Sequence, residues 1–319
     1  MEPIYALSTM WSQGNFPRDG HEGDHMPDFA ERAKHLGFSH VEINYVIPPH
    51  GVDALIESGH VAFSSVHSPC PRVKTPNGKF SEHLNLAAQE EEERRQAVDV
   101  ARASVDTAVR ANCKLLVVHL GGIGSEMFDE EQTLRKGYDA GLQNGTEFDG
   151  LVESARAKRH EMARDWFQNA KRSLAELAEY AAPRGVTIGL ENRYHYHEFP
   201  DSSEIAELLA DYPPEVAGFW LDIGHAEVLD RLGFHDHTRW LEELADRCVG
   251  THVHDTDGLA DHRAPGHGST DWPHYASLLP PLIPRVYEIN QRQSEERVAA
   301  ATAFLRSVGI LPQTPTTES

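Results

Sequence analysis

The chain has 319 residues, 39% hydrophobic and 25% charged, the composition of an ordinary globular protein. No apolar run approaches the ~18 residues a membrane span needs, and the opening MEPIYALSTMWSQGN lacks the basic flank and apolar stretch of a secretory leader. A formal charge of -21 repels polyphosphate and anionic membrane over most of the surface, which weighs against nucleic acid and membrane as partners.

Short β-branched runs alternate with long amphipathic segments along the whole chain. Strands are expected at 4–10, 40–45, 62–68, 115–121, 187–193, 216–225, 249–255 and 285–290. Helices are expected at 28–36, 82–111, 156–182, 202–211, 237–247 and 295–308, with Ser81 and the Asp201-Ser202-Ser203-Glu204 run as N-terminal caps. Strands alternating with helices imply parallel βαβ units, and eight of them imply closure into a single-domain (β/α)8 TIM barrel over residues 1–310. The stretch 121–155 reads as a lid-like loop over the barrel mouth, and 311–319 as a flexible tail. Cys70, Cys113 and Cys248 are odd in number and far apart, so a disulfide framework is not expected and a cytoplasmic location is.

Barrel enzymes place their chemistry at the C-terminal ends of the strands. Strand three ends SVHSP with His67, four ends VVHLGG with His119, and five ends GLENR with Glu191. Strand six ends LDIGH with Asp222 and His225, seven ends THVHD with His252 and His254, and eight ends VYEIN with Glu288. His252 and His254 are two apart and so share a face. Singly, each of these has a plain reading, a hydrogen-bonded polar residue or, for Asp222, a helix cap. Six strands delivering such groups to one level of one pore instead make a nest for a divalent cation such as zinc or manganese.

Other signals are weaker. Trp11, at the end of strand one, is a candidate to stack on a sugar ring, whereas Trp220 reads as core. Tyr194, His195 and Tyr196 follow Glu191 and are candidates to line the pocket. The APGHG turn at 264–268 is either a phosphate cradle or a simple β-turn. Arg156, Lys158 and Arg159 read as a solvated basic helix face, and His21, His25, His35, His160, His235 and His237 as solvated surface.

The pieces GLENR, LDIGHA, THVHDTDG, DHRAPGHG and YEIN resemble the xylose isomerase-like barrels, a family that includes sugar epimerases and type IV AP endonucleases. The likeness runs from the first strand to the eighth. It implies a metal held by Glu191, Asp222, His252 and Glu288, with His225 and Arg263 touching substrate; His254 and His197 are further substrate candidates. The ion would polarise a carbonyl and an adjacent hydroxyl, and a metal-held enediolate would form and be reprotonated between Glu191 and Glu288 as catalytic base and acid. His197 stands, with Glu198 beside it, where many sugar epimerases carry a further Glu.

His67 and His119, with His225 and His262, resemble instead the ligand set of the endonuclease branch, which binds three zinc ions. One expected Asp is replaced by Ala260, with Asp261 or Asp257 as substitutes. The expectation is therefore a metal-dependent sugar or polyol isomerase or epimerase using Mn or Zn, with Mg or Co as alternatives and one to three ions. A dehydratase is a variant of it. The alternatives are a multinuclear zinc phosphodiesterase or a non-catalytic sugar- or metal-binding barrel subunit. A small-molecule sugar or polyol is the expected partner, and a homo-oligomer is compatible with the sequence.

Overall fold

The computed structural model describes residues 3–13, 25–143 and 145–313. Eight parallel strands close into a barrel: β1 (Tyr5–Ser8), β2 (His40–Ile43), β3 (Ala62–His67), β4 (Leu115–Val118), β5 (Thr187–Glu191), β6 (Ala217–Asp222), β7 (Cys248–His252) and β10 (Arg285–Tyr287). Between β7 and β10 lies an antiparallel hairpin, β8 (Asp255–Asp257) and β9 (Ala260–Arg263). The helices are α1 (Met26–His35), α2 (Pro49–Ser58), α3 (Glu91–Arg110), α4 (Asp129–Asp139), α5 (Thr146–Ala181), α6 (Ser202–Leu209), α7 (Ile223–Arg231), α8 (Arg239–Leu244), α9 (Trp272–Leu278) and α10 (Glu295–Ser307).

The period of two along a strand sorts side chains into two cores. Leu116 and Val118, Phe219 and Leu221, and Tyr287 belong to the large apolar layer shared with the helices. Ala6, Val117, Trp220 and Val286 form a separate small cluster, the apolar filling of the barrel. Two residues further along the same strands, on the same face, come Ser8, His119, Asp222 and Glu288. The expected polar level of the pore thus sits directly above an apolar plug. Glycines make room for that plug: a Cβ at Gly250 would overlap the Trp220 ring, and one at Gly218 would overlap Val249.

Several expected elements differ in extent. The strands stop one to three residues early, so His119, His254 and Glu288 lie just beyond them and His225 lies in α7. The stretch 121–155 is not an open loop: it contains α4 and the start of α5, packed against each other by Phe128, Leu134, Phe148 and Val152. The helix expected from 82 begins at Glu91, because Ser81 opens only a short 3-10 turn and its hydroxyl accepts the Val73 N–H. The capping box at Asp201 and Glu204 forms as expected. Of the expected tail, Leu311 is buried and residues 314–319 lie outside the described residues, as does His21.

Substituting Gly250→Ala forces a methyl group into a ring that cannot move without displacing the plug. A destabilisation of about 1–3 kcal/mol is expected, because overpacking a dense core costs that much. Denaturant unfolding measures it, and a variant as stable as the parent would contradict this packing.

Candidate active site

Glu191, Asp222, His252 and Glu288 are all buried, and one ligand atom from each lies within 4.8 Å of the others. His252 is the hub. Its Nδ1 is 3.0 Å from Glu191 Oε1, 3.2 Å from Glu288 Oε2 and 3.4 Å from Asp222 Oδ2. Its Nε2 is 3.2 Å from Glu42 Oε2. Burial disfavours a charged imidazole, but Glu288, Glu42 and Glu191 outweigh it and hold His252 protonated well above the usual histidine range. The same physics runs in reverse for the acids. Burial opposes their ionisation, yet His119 and His252 hold Glu191, and His225 and His254 hold Asp222, well below the carboxylate range. Glu288 is brought to about 2 against its burial by His252 and His262.

Asp222 is a helix cap, its plain reading, and it also faces the cluster. Its Oδ1 accepts the His225 N–H at 2.7 Å as the N-cap of α7, and the same carboxylate faces the cluster. Helix capping thereby fixes a candidate ligand.

The further candidates also converge here. His67 Nε2 and His119 Nε2 lie 3.2 and 2.6 Å from the same oxygen, Glu191 Oε2. His67, Glu191 and His252 form one potential metal group, Asp222, His254, His262 and Glu288 a second, and His225, Asp261 and His262 a third. Of the two suggested substitutes, Asp261 lies 3.0 Å from His262 Nδ1, while Asp257 pairs with Arg263 at 3.2 Å. His262 has a positive φ of 52°, uncommon for a residue with a side chain. It is held there because its N–H donates to His254 Nδ1 at 2.9 Å and its carbonyl accepts the Asn290 N–H at 2.7 Å. With Nδ1 an acceptor, His254 donates from Nε2 to Asp222 at 3.0 Å.

Four contributors escaped the sequence reading. Glu42, fully buried, accepts from Ser65 at 2.7 Å and faces His252. Asn44 donates to Glu288 Oε1 at 2.9 Å. Asn192 clamps Asp222 by donating to its carbonyl and accepting its N–H, at 2.8 and 2.7 Å. Arg193 stands 3.6 Å from Glu191 and 3.0 Å from Glu198. Strand two ends VEIN, so the strand-end rule already pointed to Glu42 and Asn44. Asn192 and Arg193 sit inside the GLENR run itself.

Other candidates are placed as follows. Trp11 is buried, and its indole N–H donates to the Gln293 carbonyl at 2.9 Å. His197 is buried against Phe128. Tyr194 donates to the Leu259 carbonyl, Tyr196 stacks on Phe234 at 4.0 Å, and His195 faces Glu131 at 3.0 Å. Trp220 is fully buried, as expected of core. The APGHG turn is no open phosphate cradle: Asp255 takes the Gly266, His267 and Thr270 N–H groups at 2.9–3.1 Å.

Arg159 is not solvated but buried, bonded to Glu204 and to the carbonyls of Tyr196 and Glu198. Of the histidines expected at the surface, His35 and His160 are exposed. His25 is buried, and His235 and His237 are half-buried.

His237 lies among Asp230 at 2.7 Å, Asp271 at 3.7 Å and Glu227 at 3.9 Å. The Asp230 bond raises its pKa above 6.5, more than burial lowers it. A raised folded-state pKa adds stability that is complete below the unfolded value and lost as pH rises through the folded one. The melting-temperature advantage of the parent over His237→Gln is therefore expected to be larger at pH 6 than at pH 9; an advantage that grows with pH would refute the assignment.

A family model described as xylose isomerase-like TIM barrel matches residues 30–308. No curated protein sequence matches the chain. Among solved structures, a D-tagatose 3-epimerase-like protein is 17% identical with a TM-score of 0.65, covering 97% of this chain and 97% of its own. The 3-keto-D-glucoside 4-epimerase of E. coli is 14% identical with a TM-score of 0.64, covering 96% and 100%. The IolI protein with a bound zinc atom is 15% identical with a TM-score of 0.60, covering 97% and 98%. At these identities the likeness is one of fold.

Proposed function

The chain belongs to the xylose isomerase-like TIM barrel family, and from its site we propose that it is a divalent-metal-dependent sugar or polyol isomerase or epimerase. The observation that carries the reading is the buried set of three carboxylates and one imidazole at the ends of β5, β6, β7 and β10. Buried carboxylates demand compensating charge, and an oxygen-rich donor set with one imidazole suits manganese or zinc. Glu191, Asp222, His252 and Glu288 would hold the ion. When bound, it supplies Lewis acidity that polarises a carbonyl and an adjacent hydroxyl and acidifies the C–H between them.

The chain's own residues do the rest. Glu191 and Glu288 are the proposed proton-transfer pair. Both are held ionised at neutral pH and can accept a proton from that carbon. His119 is kept neutral, its pKa lowered to about 3 by burial and by Arg193, and donates to Glu191 at 2.6 Å. Being about a quarter exposed, it offers Glu191 a path to exchange protons with water. Asn44 and His262 fix the Glu288 carboxylate on its two oxygens. No helix among the described residues is long and apolar enough to cross a membrane, and the substrate envisaged is a small sugar.

A second reading, a zinc phosphodiesterase with two or three ions, is favoured by the overlapping groups that add His67, His225, His254, Asp261 and His262. The net charge of -21 counts against a nucleic-acid substrate for it.

The test is proton exchange. With Mn²⁺ and a panel of ketohexoses in D₂O, deuterium is expected at the carbon next to the carbonyl, followed by NMR. Glu191→Gln and Glu288→Gln are each expected to slow it at least ~100-fold, the usual worth of a positioned acid or base. Exchange that is absent, or unchanged in both variants, contradicts the proposal.

A further inference from the structure

Glu42 is fully buried on β2 and has no part in the proton transfer proposed above. The neighbours of β2 in the barrel are β1 and β3, whereas His252 lies on β7, with β1 and β10 between. The 3.2 Å contact of Glu42 Oε2 with His252 Nε2 therefore crosses the pore. Ser65, which pairs with Glu42 in the β2–β3 ladder, donates to the same oxygen at 2.7 Å and holds it in place.

The other half of this carboxylate does nothing for the fold. Oε1 has no hydrogen-bond partner among the described residues. Glu191, Asp222 and Glu288 crowd the opposite side of the same imidazole. A buried acid with one oxygen unsatisfied and like charges nearby lowers stability, and such groups call for a functional explanation.

What Glu42 supplies is a direction for the His252 ring. Packing fixes the plane of that ring: His67 lies within 10° of parallel at 5.6 Å, and Trp220 packs at a steep angle 5.2 Å away. Packing does not fix which way round the ring stands. A half-turn about its Cβ–Cγ bond keeps the plane but carries Nδ1 away from Glu191, Asp222 and Glu288. Nor does packing choose which nitrogen of a neutral imidazole bears the proton. A carboxylate facing Nε2 decides both, because Nε2 then donates and Nδ1 keeps its lone pair toward the three acids.

Resting on the metal-dependent reading above, we propose that Glu42 is a positioning residue: it holds His252 in its Nε2–H form, with Nδ1 directed at the cation site.

The test is titration calorimetry of full-length, chelator-treated protein with Mn²⁺, for the parent, Glu42→Met and Glu42→Gln. Methionine roughly keeps the volume and removes the acceptor, whereas glutamine retains an acceptor oxygen. Glu42→Met is expected to bind Mn²⁺ about 10- to 100-fold more weakly, the usual loss when the group supporting a ligand is removed. Glu42→Gln is expected to recover most of that loss. Without the ion, neither variant is expected to melt below the parent, because each removes an unsatisfied buried carboxylate oxygen. In the ¹⁵N NMR spectrum of Zn²⁺-loaded protein, His252 is expected to carry its proton on Nε2 in the parent and to lose that preference in Glu42→Met. A Glu42→Met variant that matches the parent in Mn²⁺ affinity or in the His252 spectrum overturns the assignment and leaves the metal reading standing. Equal losses in both variants, with a lowered ion-free melting temperature, make Glu42 a structural residue and overturn it too. A parent that binds no Mn²⁺ overturns the metal reading, and the assignment with it.

Discussion

The structure depends on one electrostatic constraint: Glu42, Glu191, Asp222 and Glu288 are buried together at the end of a closed barrel. Carboxylates so placed would neutralise or unfold the site unless positive charge met them. Protonated His252 does so, bridging three of the acids through Nδ1 and the fourth through Nε2, while His67 faces Glu191, His262 faces Glu288, and His254, accepting at Nδ1, donates from Nε2 to Asp222. The arrangement gathers, at one place, the atoms that the proposed cation would need.

The barrel gathers these groups by parity alone. In β4, β5, β6, β7 and β10 the last inward position, in or just past the strand, carries a candidate site residue, and the position two residues before it carries Val117, Gly189, Trp220, Gly250 or Val286. The large Trp220 ring fills the pore because Gly250 and Gly189 give it space. It packs 5.2 Å from His252 and closes the floor beneath the cluster. Fold and site are therefore one pattern: the alternation that closes the core also aims the chemistry.

That pattern is why the barrel and the convergence of His67, His119, Glu191, Asp222, His252 and Glu288 were legible in the sequence. Side chains of period two at the ends of β-branched runs need no long-range information. What was not legible depends on contacts between segments distant in the chain. Arg159 reads as a solvated basic residue until Glu204 and the carbonyls of the segment after β5 enclose it. The segment after β4 reads as a polar loop, yet Phe128, Leu134 and Phe148 suffice to fold it onto α5 as helices. The APGHG turn reads either as a phosphate cradle or as a simple β-turn, and only the structure, with Asp255 filling its amides, decides for the turn. Glu42 and Asn44 are a different case: the strand-end rule covers them, since strand two ends VEIN much as strand eight ends YEIN.

The most direct measurement is metal binding by the intact chain: chelator-treated protein, dialysed against equal Mn²⁺, Zn²⁺, Co²⁺ and Mg²⁺, with bound metal counted by plasma mass spectrometry. At least one divalent ion per chain is expected in the parent and none in an Asp222→Asn, His252→Gln variant that still melts cooperatively. A folded parent that retains no ion would contradict the central claim that this buried cluster is a cation site.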